Sequence, residues 1–122
     1  AALTDFSMSV RRSAARGLGY IGWSKLSVSE VPNAQKQAVE TLIKVLDDPE
    51  WVVRYAAVVG LQNLAVSLDK TNTILLNSIS ERLQYMRENE SELGVCARVG
   101  LALQMIEESR ELGVKNNRTF RE

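Results

Sequence analysis

The side chains of this sequence best able to do chemistry are arginines and aromatics: Arg11, Arg12, Arg16 and Arg54, with Tyr20, Trp23, Trp51 and Tyr55. A guanidinium pairs bidentately with a carboxylate and stacks on a flat π system. A groove lined by both residue types suits a planar, acid-bearing ligand or a protein helix. A second reading makes Arg11 and Arg54 partners of aspartates in a ladder between repeats, with Trp51 and Tyr55 in the core. Histidine is absent, so Ser-His-Asp and Cys-His arrangements cannot be assembled within this chain. No catalytic residue is assigned and no metal site is expected. The single cysteine, Cys96, reads as a small hydrophobe, because Arg98 two residues on does not face it along a helix. Gly17-Leu18-Gly19-Tyr20-Ile21-Gly22 matches G-x-G-x-x-G letter for letter. The dinucleotide fingerprint needs a strand before it and a helix opening at it. Here a helix precedes it, and the glycines are expected to end that helix in left-handed conformation. The adjacent acids Asp47/Asp48 and Glu107/Glu108 diverge on a helix and make no catalytic carboxylate pair.

Lys+Arg and Asp+Glu both total 15, a net charge of zero. Nucleic-acid binding rests on an excess of cations facing phosphates, so no nucleic-acid partner is expected. At 122 residues, 45% hydrophobic and 25% charged, the chain is an ordinary globular one with room for a single domain. Two prolines and seven glycines are too few for a many-turned β fold. There is no apolar run long enough for a membrane span, and one cysteine fits a reducing, cytoplasmic setting.

The elements that position these side chains repeat. Asp5 to Leu18 (DFSMSVRRSAARGL), Asp48 to Leu61 (DPEWVVRYAAVVGL) and, more weakly, Glu90 to Leu103 (ESELGVCARVGLAL) align without gaps. Val10, Val53 and Val95 recur 43 and 42 residues apart, inside the 40–47-residue window of HEAT-like helical repeats. Val52, Val53, Ala56, Ala57, Gly60, Leu61 and Leu64 cover more than one helix face, the mark of a helix packed between neighbours. Ala14, Gly17, Ala57 and Gly60 are expected to let those helices approach closely. Asp48 is expected to cap the helix that Pro49 opens. The partner helices, 34–46 and 73–88, show amphipathic spacing, with Asn33 and Thr73 as expected caps. The fold class is therefore all-α, an α-solenoid of HEAT-like repeats over 1–106: a half repeat 1–22, then repeats 33–66 and 73–106. The loop from Gly22 to Pro32 is longer than such repeats need, and long loops tend to carry function. Residues 107–122 are expected to form a polar, frayed tail broken by Gly113, Asn116 and Asn117. The opening half repeat lacks its first helix, the leading edge carries Leu3, Phe6, Met8 and Val10, and position 1 is alanine. A section cut from a longer solenoid, or a partner covering that face, is the expectation.

The stretch Asp5 to Gly19, then Trp23, then Glu50 to Gln62 (EWVVRYAAVVGLQ) resembles the F subunits of the E/F-type phycobilin lyases. These belong to the PBS-lyase HEAT-like repeat proteins of cyanobacteria and red algae. The resemblance spans about residues 3–104. It implies a heterodimer with an E subunit that attaches an open-chain tetrapyrrole, typically phycocyanobilin, through a thioether to a cysteine of a phycobiliprotein α subunit such as that of phycocyanin. Phycocyanobilin would be substrate and not a tightly bound cofactor, and the nucleophile would belong to the acceptor protein. A missing histidine is then no obstacle. The resemblance marks Arg11, Arg12, Trp23, Trp51, Arg54 and Tyr55 as candidate bilin- or partner-binding residues. Isomerising members carry a Cys/His-containing motif; with no histidine in this chain, isomerisation is not predicted from it. The rival reading is a non-enzymatic HEAT scaffold in phycobilisome assembly or turnover.

Overall fold

The computed structural model describes residues 7–20 and 22–121, the stretch 114–121 by its backbone alone. Among the described residues five helices follow one another: α1 Met8–Leu18, α2 Val31–Val45, α3 Trp51–Ser67, α4 Thr73–Asn89 and α5 Leu93–Arg121. No strand occurs among the described residues. Helices α1, α3 and α5 lie side by side in one layer, α2 and α4 form the other, and α3 packs on all four neighbours. This is the two-layer stack of an α-solenoid.

The sequence of α3 explains its central place. Val53, Ala56, Ala57, Val58, Leu61, Leu64 and Ala65 are all buried, so apolar surface leaves water on nearly every side of the helix. Leu42, Leu76, Ile79, Leu83, Val95, Val99 and Ile106 from α2, α4 and α5 complete the core. Small residues do bring α1 onto α3, at Gly60 as expected, but on α1 through Ala15 and Gly19 in place of Ala14 and Gly17. A Cβ on Gly19 would stand 2.6 Å from Gly60 Cα, and one on Gly60 would stand 2.6 Å from the Ala15 carbonyl oxygen. A Cβ on Gly17 would meet nothing within 4 Å. The crossing point is thus Ala15/Gly19 against Gly60, because Gly17 points to the far side of α1.

The helix ends differ from expectation in instructive ways. Asp48 lies two residues before the residue flanking α3, Glu50, and its Oδ1 accepts the Glu50 N–H at 2.9 Å. It holds the turn into the helix and does not cap it, and Pro49 stays outside. Helix α2 begins at Val31 and not after Asn33, with Pro32 in its first turn. One turn earlier, Glu30 Oε1 accepts from the Ser27 N–H at 3.2 Å and the Ser27 hydroxyl at 2.6 Å. Ser27-x-x-Glu30 is a capping-box pattern and was readable in the sequence. At α4 the cap is Asn72, whose Oδ1 accepts from Leu75 N–H at 3.4 Å, and Thr73 is already helical. No described glycine has a positive φ; Gly19, which follows α1, stays right-handed at φ −73°.

The largest departure is at the C-terminus. Instead of breaking at Gly113, α5 runs through it and through Asn116 and Asn117 to Arg121. One glycine costs a helix only about 1 kcal/mol against alanine, and asparagine less. Tertiary contacts anchor the stretch up to that glycine. Arg110 Nη2 donates to Asn77 Oδ1 on α4 at 3.0 Å, and the Lys70 side chain lies where a Cβ on Gly113 would be. Burial pushes the Lys70 ammonium below its ordinary pKa, Asp69 opposing and Arg110 reinforcing the fall. Of the apolar leading edge, Met8 and Val10 are exposed; Leu3 and Phe6 fall outside the described residues.

Candidate functional site

On a helix, consecutive residues point about 100° apart, and the doublet Arg11-Arg12 is split accordingly. Arg11 turns toward the α2–α3 turn, where its Nε donates to Asp48 Oδ2 at 2.8 Å and its Nη2 to Oδ1 at 3.2 Å. Asp48 is only 8% exposed. Burial pushes its carboxyl up, but the Arg11 hydrogen bond, the Glu50 N–H and the charges of Arg11 and Arg54 outweigh this and hold it below the ordinary value. Arg54 repeats the arrangement one repeat on. Its Nε donates to Glu90 Oε1 at 2.7 Å, and its Nη1 to the carbonyl oxygens of Asp48 and Pro49 at 2.9 and 3.1 Å. In the third repeat, Cys96 stands in the same place, and its Sγ–H donates to the Glu90 carbonyl at 3.1 Å. A ladder of Arg11, Asp48, Arg54, Glu90 and Cys96, buried at Asp48 and half-buried elsewhere, thus ties the three repeats together. The ladder expected of Arg11 and Arg54 is formed, with Glu90 and not an aspartate as the acid on Arg54, whereas Trp51, placed in the core on that reading, is exposed.

Arg12 and Arg16 go the other way. One turn apart on α1 and both exposed, they face Trp51 and Tyr55, one turn apart at the start of α3. With Val52 and Ala56 as floor, these four side chains line a groove of about 330 Å³. Trp51 is 47% exposed, whereas Tyr55 is half-buried against the core. No acid lines the groove, and neither the Arg12 nor the Arg16 guanidinium has an ion-pair or hydrogen-bond partner among the described residues.

Trp23 belongs to neither group. It sits in the α1–α2 loop, in an apolar cleft of about 300 Å³ with Leu18, Leu26, Ala34, Gln37, Ala38 and Thr41, and its buried Nε1–H has no acceptor among the described residues. Tyr20, just past α1, is exposed. The one surface expected from the sequence is therefore three places: a ladder, a groove and a cleft. Sequence reasoning missed a third hollow, of about 350 Å³, between the α2–α3 turn and α4, lined by Arg54 and Glu90 among others. There Arg82 Nη2 donates to Asp47 Oδ1 at 2.7 Å, with its Cζ 5.3 Å from the Tyr85 ring centre. The helical spacing of Arg82 and Tyr85 was the available signal.

Other chemistries find no support among the described residues. No three His, Cys, Asp or Glu side chains gather where a metal ion could sit, and no helix is long and apolar enough to cross a membrane. The first glycine of G-x-G-x-x-G, Gly17, lies in the last turn of α1, and Gly19 and Gly22 follow that helix and not a strand, so the strand-turn-helix context of the fingerprint is absent.

A family model described as HEAT repeats matches residues 1–89. Among similar proteins is the phycocyanin alpha phycocyanobilin lyase CpcF of Synechocystis sp. (strain PCC 6803), 45% identical over 106 residues, which make up 87% of this chain and 48% of that protein. A phycocyanobilin lyase subunit beta of Nostoc sp. (strain PCC 7120) is 46% identical over 102 residues, 84% of this chain and 48% of the relative. The phycobilisome maturation protein of Synechococcus elongatus is 46% identical over 103 residues, with the same shares. A chain in the solved complex of CpcE and CpcF of phycocyanin lyase from Nostoc sp. PCC7120 superposes with a TM-score of 0.74 at 46% identity, over 84% of this chain and 57% of that one. The chain spans about half the length of the curated relatives it matches.

Proposed function

The chain belongs to the HEAT-repeat family, and from that premise we propose that it acts within the F subunit of a heterodimeric bilin lyase. In this reading it pairs with an E subunit, takes phycocyanobilin as substrate, and assists thioether attachment to a cysteine of a phycobiliprotein α subunit in the cyanobacterial cytoplasm. The names borne by its relatives support it. The observation that carries it is the α1–α3 groove, whose flanking arginines and aromatics match a flat pigment bearing two propionates. With no histidine and its one cysteine hydrogen-bonded in the ladder, this chain contributes positioning. The thiol and the bond-making belong to the acceptor, and holding two reactants in register accounts for large rate gains without side-chain chemistry.

Of the six candidate binding residues, Arg12, Trp51 and Tyr55 line this groove and are the proposed bilin contacts. Arg11 and Arg54 stabilise the stack behind it, and Trp23 is left to a partner surface. Repeats 33–66 and 73–106 are the proposed working units, with the long α5 extending the second. Mixing the chain with an E subunit, phycocyanobilin and the apo-α subunit of phycocyanin tests the proposal. A covalent, red-absorbing adduct that depends on this chain is expected. An adduct in no combination would leave the scaffold reading, for which the maturation-protein relative is the specific support.

A further inference from the structure

We infer that Arg12 and Arg16 together form a two-point carboxylate clamp that recognises the bilin by its paired propionates, while Trp51 and Tyr55 lie along its conjugated plane. The inference rests on the bilin reading above and adds to it the chemical handle, together with Arg16, which resemblance did not mark.

Three observations converge on it. First, the chain as a whole is neutral, with 15 cations against 15 acids, yet this groove holds two cations and no acid. Like charges one turn apart on a helix repel and destabilise it. Their neighbours in the repeat pattern are neutralised: Arg11 by Asp48, Arg54 by Glu90. Arg12 and Arg16 have no such acid among the described residues, so an incoming anion removes a repulsion and displaces no partner that those residues supply.

Second, the spacing selects the kind of anion. Side chains four apart on a helix root about 5–6 Å from each other and reach in the same direction. Two guanidiniums so placed fit two carboxylates on neighbouring rings of one ligand better than a single compact anion. Both can bind bidentately, which an ammonium cannot do.

Third, the wall opposite is aromatic and open on one side. Trp51 is half in solvent, with ring surface left for stacking. The Tyr55 hydroxyl has no hydrogen-bond partner among the described residues, which leaves a donor for a lactam carbonyl or a propionate. Anchoring by the propionates leaves the pigment's outer rings, where an acceptor thiol must arrive, outside the groove.

Absorption titration separates the possibilities. The chain, alone and paired with an E subunit, is titrated with phycocyanobilin and with its dimethyl ester, which keeps the plane and loses both charges. Binding of the free acid at least tenfold tighter than the ester is expected. R12Q and R16Q should each abolish most of that preference, R16K should restore part of it, and the melting temperature should not fall. W51A should weaken acid and ester alike. Equal binding of acid and ester by the unmodified chain overturns the clamp while leaving the bilin reading intact. Binding of neither pigment overturns the bilin reading itself. If R12Q and R16Q instead release the E subunit while keeping the acid–ester preference, the groove is a protein contact and the clamp is wrong.

Discussion

Arg11 and Arg12 are neighbours in the chain and opposites in the structure. Arg11 and its repeat counterpart Arg54 are largely buried, at 12% and 16% side-chain exposure, each against a carboxylate from the following repeat. Arg12 and Arg16 are exposed, unpaired among the described residues, and face two aromatic rings. A cation paired inside the fold makes the fold depend on its partner, because removing that partner strands a part-buried charge. One left unanswered costs a little stability and keeps its binding capacity for something else.

The sharpest way to break the contrast is to separate the two helices that carry it. Gly60→Val places a side chain against the Ala15 carbonyl where even a Cβ would stand at 2.6 Å. Overpacking of this kind costs about 1–3 kcal/mol, and a backbone obstacle puts it at the upper end or beyond. Both ladder and groove should be lost together, seen as a large fall in denaturant midpoint with loss of pigment binding. A midpoint unchanged within error would refute the Gly19/Gly60 crossing.

Next in size, Asp48→Ala removes the shared acceptor of Arg11 and the Glu50 N–H. Buried polar groups left unsatisfied cost about 1–3 kcal/mol, so urea unfolding should show a loss of about 2 kcal/mol. The folded fraction should keep its pigment affinity, since Asp48 does not line the groove; weakened affinity at full occupancy of the fold would merge the two regions that the structure separates.

The same aspartate sets an acid response. Its pKa is held below the ordinary 3.8 in the folded chain, so its stabilisation is fully present above that value and is lost as pH falls through the folded-state value. Urea midpoints measured from pH 6 downward should decline at the acid end. Asp48→Asn should start lower and decline less, and parallel curves would show that another carboxylate is responsible.

Smallest is the contrast at the ladder's end. Cys96→Ser keeps a donor to the Glu90 carbonyl and should shift stability by under about 1 kcal/mol. A larger loss in thermal unfolding would mean that sulfur packing, not the hydrogen bond, closes the ladder.

Much of this architecture was legible without coordinates. The recurrence of Val10, Val53 and Val95 gave the repeat, and the apolar coverage of Val52 to Leu64 identified the central helix. Helix ends were read less well, because several polar residues near each boundary can cap and only backbone geometry selects among them. Asp48 looked like a cap by its type and by Pro49, yet it was drawn away to Arg11, 37 residues distant. Gly113 looked like a breaker because its cost is visible in sequence, whereas its gain, room for Lys70, is not.

The candidate site was half legible for a related reason. Residue types and helical spacing determined that Arg12 and Arg16 share a face, as do Trp51 and Tyr55, and that Arg11 lies on a different one. Those are angular relations within one helix, set by its period of 3.6 residues. Which face meets an acid and which meets open solvent was decided only when α1 settled on α3 through Ala15, Gly19 and Gly60. That docking brings Asp48 under Arg11 and leaves Arg12 and Arg16 looking across a groove at Trp51, while the packing of α4 and α5 on α3 brings Glu90 under Arg54. Local periodicity orients side chains relative to one another; only the contact between helices distant in sequence fixes what they are oriented toward.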